Sequence, residues 1–422
     1  MQEIFNFKKT RNRFFISFLS RGFIINLTTL SSVFMTSYVL FLGLEEWQIG
    51  VLASIMGLTG ILQIFAPNIF NHFQSRKKAI FLFKVIQYIS IYLLIIVPKL
   101  LTGEFQYYSM VLILFAFYSF HAINEIGFLE WNNKFVPLEN KSEYFSTRNL
   151  LNNLIGMTSP FILGKVLDYF GGEYNTYLII FLIYLIFVMV DMINIYFLED
   201  MPLSVEHKSK MPIMEQIKIV FRDKNYMTFI KFNLIWTFAL FFGNAYYSYY
   251  AVKYQGLNLG FIGTIGSITA FIKMLTARKC GRKVDQYGWK KILIYAGIGF
   301  GLTNLLWFFV GISPMIIYPI IIFLKGLFMI TANIAKFQAN LMLGKEEYRI
   351  IYLSVNGCIM GVANFISSNV VSKIISVKDN KLIDQLASVL HVDYYLIIFM
   401  LSGLLHIIAI LYFNRRLKNL AI

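Results

Sequence analysis

Charge and cysteine are what this chain of 422 residues has least of: 14% of its residues are charged, and it has two cysteines. An ordinary soluble protein carries about 25% charged residues, so a set of water-facing domains is excluded despite the length. Cys280 and Cys358 belong to no CxxC pair, which leaves no disulfide framework, zinc cluster or redox motif. HExxH, GxSxG and a P-loop are all missing. Their absence removes zinc-protease, serine-hydrolase and ATP-driven chemistry, and neither a cofactor nor a metal is expected. The alternating pattern of barrel strands is missing too.

Apolar side chain is what the chain has instead. Hydrophobic residues make up 58% and aromatic residues 17%, and the mean hydropathy is +0.64. Runs of about 20 apolar residues recur from end to end, the length that crosses a bilayer as a helix. Twelve are expected, near 22–44, 48–70, 79–101, 107–131, 149–170, 177–199, 226–250, 258–279, 292–312, 315–340, 351–375 and 394–413. In lipid each must be helical, because unpaired backbone groups there cost several kcal/mol. The fold class is therefore all-α integral membrane, in two six-helix bundles over 22–199 and 226–413. Around them lie an N-terminal segment 1–21, a central loop 200–225 and a tail 414–422.

The net charge of +16 would suggest nucleic acid in a soluble protein. Here it sorts by side. Twenty-seven of the 38 Lys and Arg fall on one side of the spans and five on the other. Basic loops stay in the cytoplasm, so both termini are expected inside, with anionic lipid headgroups as partners of the loops. Residues 1–21, with Phe5, Phe7, Phe14, Phe15 and Phe18 among basic residues, suit the inner membrane surface. After Pro212, the residues Ile213, Met214, Ile217, Val220 and Phe221 recur at helical spacing with Lys218, Arg222 and Lys224 between them. A short surface helix and a linker both fit this segment.

Between spans eight and nine runs Gly281-Arg282-Lys283-Val284-Asp285-Gln286-Tyr287-Gly288-Trp289-Lys290-Lys291. Gly281 suits a close helix approach, Gly288 a positive φ, and Lys290 and Lys291 an anionic leaflet. The segment resembles the signature loop of the major facilitator superfamily, G-x-x-x-D-x-x-G-x-[RK]-[RK]. The copy between spans two and three, Asn71-His72-Phe73-Gln74-Ser75-Arg76-Lys77-Lys78, keeps the basic tail and has Asn71 at the aspartate position. The resemblance implies two pseudo-symmetric halves, with spans one, four, seven and ten around a central cavity. It also implies a contact between the Asp285 loop and the start of span five at Arg148 when the inner side is closed. Small-residue spacing agrees: Gly260, Gly263 and Gly266, then Gly297 and Gly301, then Gly357 and Gly361.

A charge at mid-membrane asks for a reason. Lys84, Lys231, Lys273 and Lys336 lie near inner span ends, where snorkelling serves. Lys325 lies near mid-depth. His121, Asn124 and Glu125 share one face of span four. Placed by the resemblance, Asn26, His121, Asn124, Glu125, Trp236, Asn244, Tyr247, Lys325 and Asn333 line the cavity. Glu125 fits a proton carrier and also a static bridge to a lysine. His121 fits a proton relay and also a hydrogen-bonded core residue. Asp191 suits a packing hydrogen bond, and Lys165 with Asp168 a local ion pair.

The function expected is secondary transport of a small organic, amphipathic solute by alternating access, with protons as coupling ion and efflux as direction. An uptake symporter or a lipid or peptide exporter of the same fold is an alternative, and a membrane-embedded enzyme is one of another class. A monomer in a bacterial cytoplasmic membrane is expected, without nucleic acid.

Overall fold

The computed structural model describes residues 7–135, 141–200, 213–345, 348–376 and 393–418. All regular structure among them is helical. Twelve helices are long and apolar enough to cross a membrane. Spans one to six are Thr10–Phe41, Glu46–Ile64, Arg76–Leu100, Gly103–Phe128, Leu150–Phe170 and Tyr174–Phe197. Spans seven to twelve are Lys224–Lys253, Leu259–Tyr287, Trp289–Phe309, Pro314–Asn340, Ile351–Ser376 and Tyr394–Asn414. With an even number of crossings, the start of span one and the end of span twelve share a face, here the terminal face. The opposite one is the distal face.

One expected segment differs, and another is decided between its two readings. The first helix begins at Phe7 and runs into span one, which starts at Thr10, so residues 10–21 belong to the first span's helix and not to a separate segment. Phe14 and Phe18 explain this: both are buried, and each meets Phe128 edge-on at 5.4 Å. After the central segment a helix forms over Ile213–Arg222. It buries Val220 in the second half's core beside Tyr226 and leaves Met214, Lys218 and Phe221 exposed. Residues 201–212 lie outside the described residues.

The distribution of apolar core sets the geometry between the halves. At the distal ends one continuous core takes in both, from Phe34, Tyr38 and Tyr177 to Tyr246, Trp307 and Tyr395. Toward the terminal face the core divides in two. One part holds Phe14, Phe128 and Trp131, and the other Phe229, Trp236 and Trp289. The halves therefore join at the distal face; toward the terminal face their cores part, with spans two and eleven still in touch at Gln63 and Gly357.

The joint is made by span two against span eleven and span five against span eight. Glycine permits the approach. A Cβ on Gly57 would stand 2.6 Å from the Gly361 carbonyl, and one on Gly164 would stand 2.7 Å from that of Leu259. Further inward, Gly156 and Gly266 face open space, so spans five and eight diverge.

Candidate functional site

The distal joint closes on one carboxylate. Glu46 opens span two behind a capping box formed by Glu45 and Gln48. Its side chain accepts from Lys253 Nζ at 2.9 Å and the Tyr395 hydroxyl at 2.7 Å, and from the hydroxyls of Tyr254 and Tyr394. Tyr249 adds a longer contact of 3.4 Å. All five donors belong to the second half. Tyr249, Lys253 and Tyr254 reach Glu46 because span seven breaks at Gly243, φ +104°, and restarts as the helix Tyr246–Lys253, while Tyr394 and Tyr395 open span twelve. Burial and the adjacent carboxylate push the Tyr254 phenol up to about 12, so it stays a donor at neutral pH.

Other bonds across the joint run the same way. Tyr246 donates to the Glu46 carbonyl at 3.1 Å, Ser372 to that of Trp47 at 2.5 Å, and Ser248 to that of Ser31 at 3.3 Å. The Gly260 amide donates to Asp168 at 2.8 Å. Asp168 thus serves the joint, where a local pair with Lys165 was expected.

Inside the first half the cations meet acids. Glu125 pairs with Arg21 of span one, where a lysine was expected. Arg21 is 7% exposed and Glu125 42%, so the carboxylate faces open space and the guanidinium does not. The guanidinium also lies 4.2 Å from the Phe128 ring centroid. Lys84 and Asp191 form a second pair at 3.4 Å, 1% and 0% exposed. Ser17 and Tyr88 donate to Asp191, and Lys84 donates to the Tyr88 hydroxyl at 2.9 Å. Lys84 does not snorkel, and Asp191 does more than hold a packing bond. Breaking such a pair strands a buried charge and costs about 3–5 kcal/mol. His121 stands 3.4 Å from Gln87 and parallel to Phe117. Asn124 is fully buried, with no hydrogen-bond partner among the described residues. Asn26 is half-buried on span one.

The second half is different. Lys325 Nζ lies 3.4 Å from the Tyr247 ring centroid and 5.4 Å from that of Phe300. Lys336 Nζ lies 4.7 Å from that of Trp236. The stem of Lys273 packs beside Gly326. All three are partly exposed. A cation–π contact contributes about 0.5–2 kcal/mol, against at least ~2.5–3.5 kcal/mol for a charge at mid-membrane. Trp236 and Tyr247, expected on the cavity wall, are enclosed in the second bundle. Trp236 packs on Phe300 and His406, and Tyr247 on Trp307 and Phe399. Both turn inward because spans nine and twelve offer aromatic partners. Asn244 is half-buried at the break in span seven, and Asn333 is exposed on span ten.

In the loop after span eight, Gly288 has φ +80° and ends the helix, as its place in the turn predicts. Gly281 faces open space and supports no close helix contact here. Lys290 and Lys291 lie 5.7 Å from the Trp289 and Tyr287 rings. Asp285 is exposed and accepts from Gln338 of span ten at 3.4 Å. Arg148 lies over Phe18 at 4.9 Å. With the terminal ends apart, Asp285 is held within its own half.

Twelve spans in two bundles that join at one end define a two-domain membrane protein. Known proteins give it a family. The family model of the Major Facilitator Superfamily matches residues 14–371. A D-xylose–proton symporter matches the structure with a TM-score of 0.73 at 13% identity, over 95% of this chain and 96% of that one. The nucleoside transporter NupG gives 0.71 at 13% identity, over 98% and 99%. A POT family transporter in complex with 5-aminolevulinic acid gives 0.69 at 14% identity, over 99% and 98%. No match by sequence is found among curated proteins. The chain belongs to the major facilitator superfamily and has its transporter fold.

Proposed function

We propose that this protein is a secondary active transporter that moves a small organic solute by alternating access, coupled to protons, in the direction of export. The observation that carries this reading is the unequal closure of the two faces. The distal joint is sealed by Glu46 and a shared aromatic core, while the terminal ends stand apart. The basic loops flank the terminal face, so the positive-inside rule makes it cytoplasmic and the described state inward-open. A bacterial cytoplasmic membrane fits this topology.

Glu125 is the proposed proton carrier. Ionised, it pairs with Arg21; protonated, it releases the guanidinium. Its partial exposure lets a proton reach it from the open side, and release of Arg21 would couple protonation to the packing of span one against span four. Once the distal joint opens and the cytoplasmic side closes, the Asp285 loop is proposed to meet the start of span five at Arg148.

Reconstituted vesicles with an imposed pH gradient test the function. Solute flux should follow the gradient in the parent and lose that dependence in Glu125→Gln. A flux that ignores the gradient in the parent removes proton coupling. Topology is tested by labelling single cysteines: position 45 should react only from outside and position 210 only from inside.

A further inference from the structure

Lys253 of the second half is answered by Glu46, but Lys273, Lys325 and Lys336 meet no acid among the described residues. From Lys224 to Asn414 the chain carries six acidic residues: Asp285, Glu346, Glu347, Asp379, Asp384 and Asp393, the last just before span twelve and bonded to Tyr250. Among the described residues, Asp285 alone of these falls in a span, and Glu346, Glu347, Asp379 and Asp384 lie outside the described residues. Asp285 sits in the last turn of span eight, exposed at the terminal face and bonded to Gln338. Lys273 and Lys325 lie near the middle of spans eight and ten, and Lys336 lies further toward the terminal face. In the first half, two cations within the membrane meet carboxylates: Arg21 with Glu125, and Lys84 with Asp191.

The nearest neighbours of Lys325 and Lys336 are ring faces. Phe300 and Trp236 flank the buried His406, at centroid distances of 4.8 and 4.9 Å. His406 Nδ1 is bonded to the Ser402 carbonyl at 2.8 Å, so that nitrogen carries its proton, and Nε2 is unpartnered. The imidazole therefore supplies no negative charge either. Lys325 and Lys336 are eleven positions apart, which on a helix is three turns, about 16 Å along one face. The stem of Lys273 packs against span ten at Gly326, the residue that follows Lys325.

We propose that the transported solute is an organic anion. Its acidic head is held by Lys273 and Lys325, and Lys336 draws it in from the open face. This rests on the transporter reading above. A lysine ammonium is a compact point charge without the paired geometry of arginine. The site therefore selects the sign of the charge, and a carboxylate and a phosphate ester both satisfy it. The membrane potential, negative inside, favours the exit of such a solute, in agreement with export.

The test needs no knowledge of the solute. Asn333, exposed on span ten between Lys325 and Lys336, is changed to cysteine in the full chain with Cys280→Ala and Cys358→Ala. The probes are two methanethiosulfonates of similar size, one carrying a sulfonate and one a trimethylammonium. A charged cleft concentrates counter-ions by a factor of about ten or more. The sulfonate should therefore react at least about tenfold faster, relative to the trimethylammonium, than it does with free 2-mercaptoethanol. Lys325→Gln with Lys336→Gln should return the ratio toward that of the free thiol. A parent ratio equal to the free thiol's overturns the anion proposal and leaves the transporter reading intact. No reaction with either reagent, while the protein elutes as a single folded species, means that no open space reaches position 333. The transporter reading then fails, and the anion proposal with it.

Discussion

The two halves share a fold and differ in how they treat charge. In the first, Lys84 and Asp191 close on each other at full burial and Arg21 closes on Glu125. In the second, Lys325 and Lys336 rest on aromatic rings. The contrast continues at the joint, where the carboxylates of Glu46 and Asp168 come from the first half and their donors from the second. Paired charges hold a bundle together at low conformational cost. Unpaired ones leave a positive field in the space between the bundles, open to a ligand of opposite sign. The comparison assigns stability to the first half's ions and recognition to the second's.

The largest expected effect breaks the comparison if it fails. Asp191→Asn strands Lys84 in the core and should destabilise the protein by about 3–5 kcal/mol. Lys325→Gln removes a cation with no carboxylate and should leave stability unchanged or raised. Thermal unfolding in one detergent decides, and equal losses in the two variants would erase the distinction between the halves. Next comes Glu46→Gln. A hydrogen bond to a charged group contributes about 1.5–3 kcal/mol, so losing the charge should weaken the distal seal by roughly 2 kcal/mol, about a thirtyfold shift. Maleimide labelling of Ser248→Cys from the distal side should accelerate in that variant. Glu125→Gln leaves the buried Arg21 guanidinium without its charge partner and should cost about 1–3 kcal/mol of stability, yet abolish the pH dependence of flux. The smallest effect is expected of Asp285→Asn. It should shift the protein toward the inward-open state by roughly 1 kcal/mol, slowing turnover with the folded yield unchanged. Identical turnover in variant and parent would leave Asp285 as a turn former.

Length, hydropathy and loop charge define twelve spans in two halves, because each of these is a local pattern; after Pro212 they leave a surface helix and a linker open, and the burial of Val220 in the second half's core decides for the helix. The turn at Gly288 was readable as a local pattern too. The ion pairs were not. Lys84 looks like a snorkelling residue near a span end, and Asp191 looks isolated in an apolar span. Their pairing depends on how spans three and six pack. Arg21 passed for a loop cation because Phe14 and Phe18, which pull the first helix inward, meet Phe128 on another span. Glu46 carries no signal of its own. Lys253, its partner, is 207 positions further on, and nothing in the neighbourhood of either residue points to the other. One signal was available and went unread: the second half's spans contain lysines and almost no acid.

The distal seal around Glu46 is the centre of this account, and paired distance measurements test it most directly. Spin labels at positions 173 and 312, both exposed on the distal side, report one face. Labels at 74 and 286, exposed on the terminal side, report the other. In the parent, the distal distribution should be short and narrow and the terminal one long. In Glu46→Gln a second population should appear, longer across the distal pair and shorter across the terminal pair. If the two distributions match the parent's, or if both pairs lengthen together, Glu46 does not hold the seal and the two faces do not alternate.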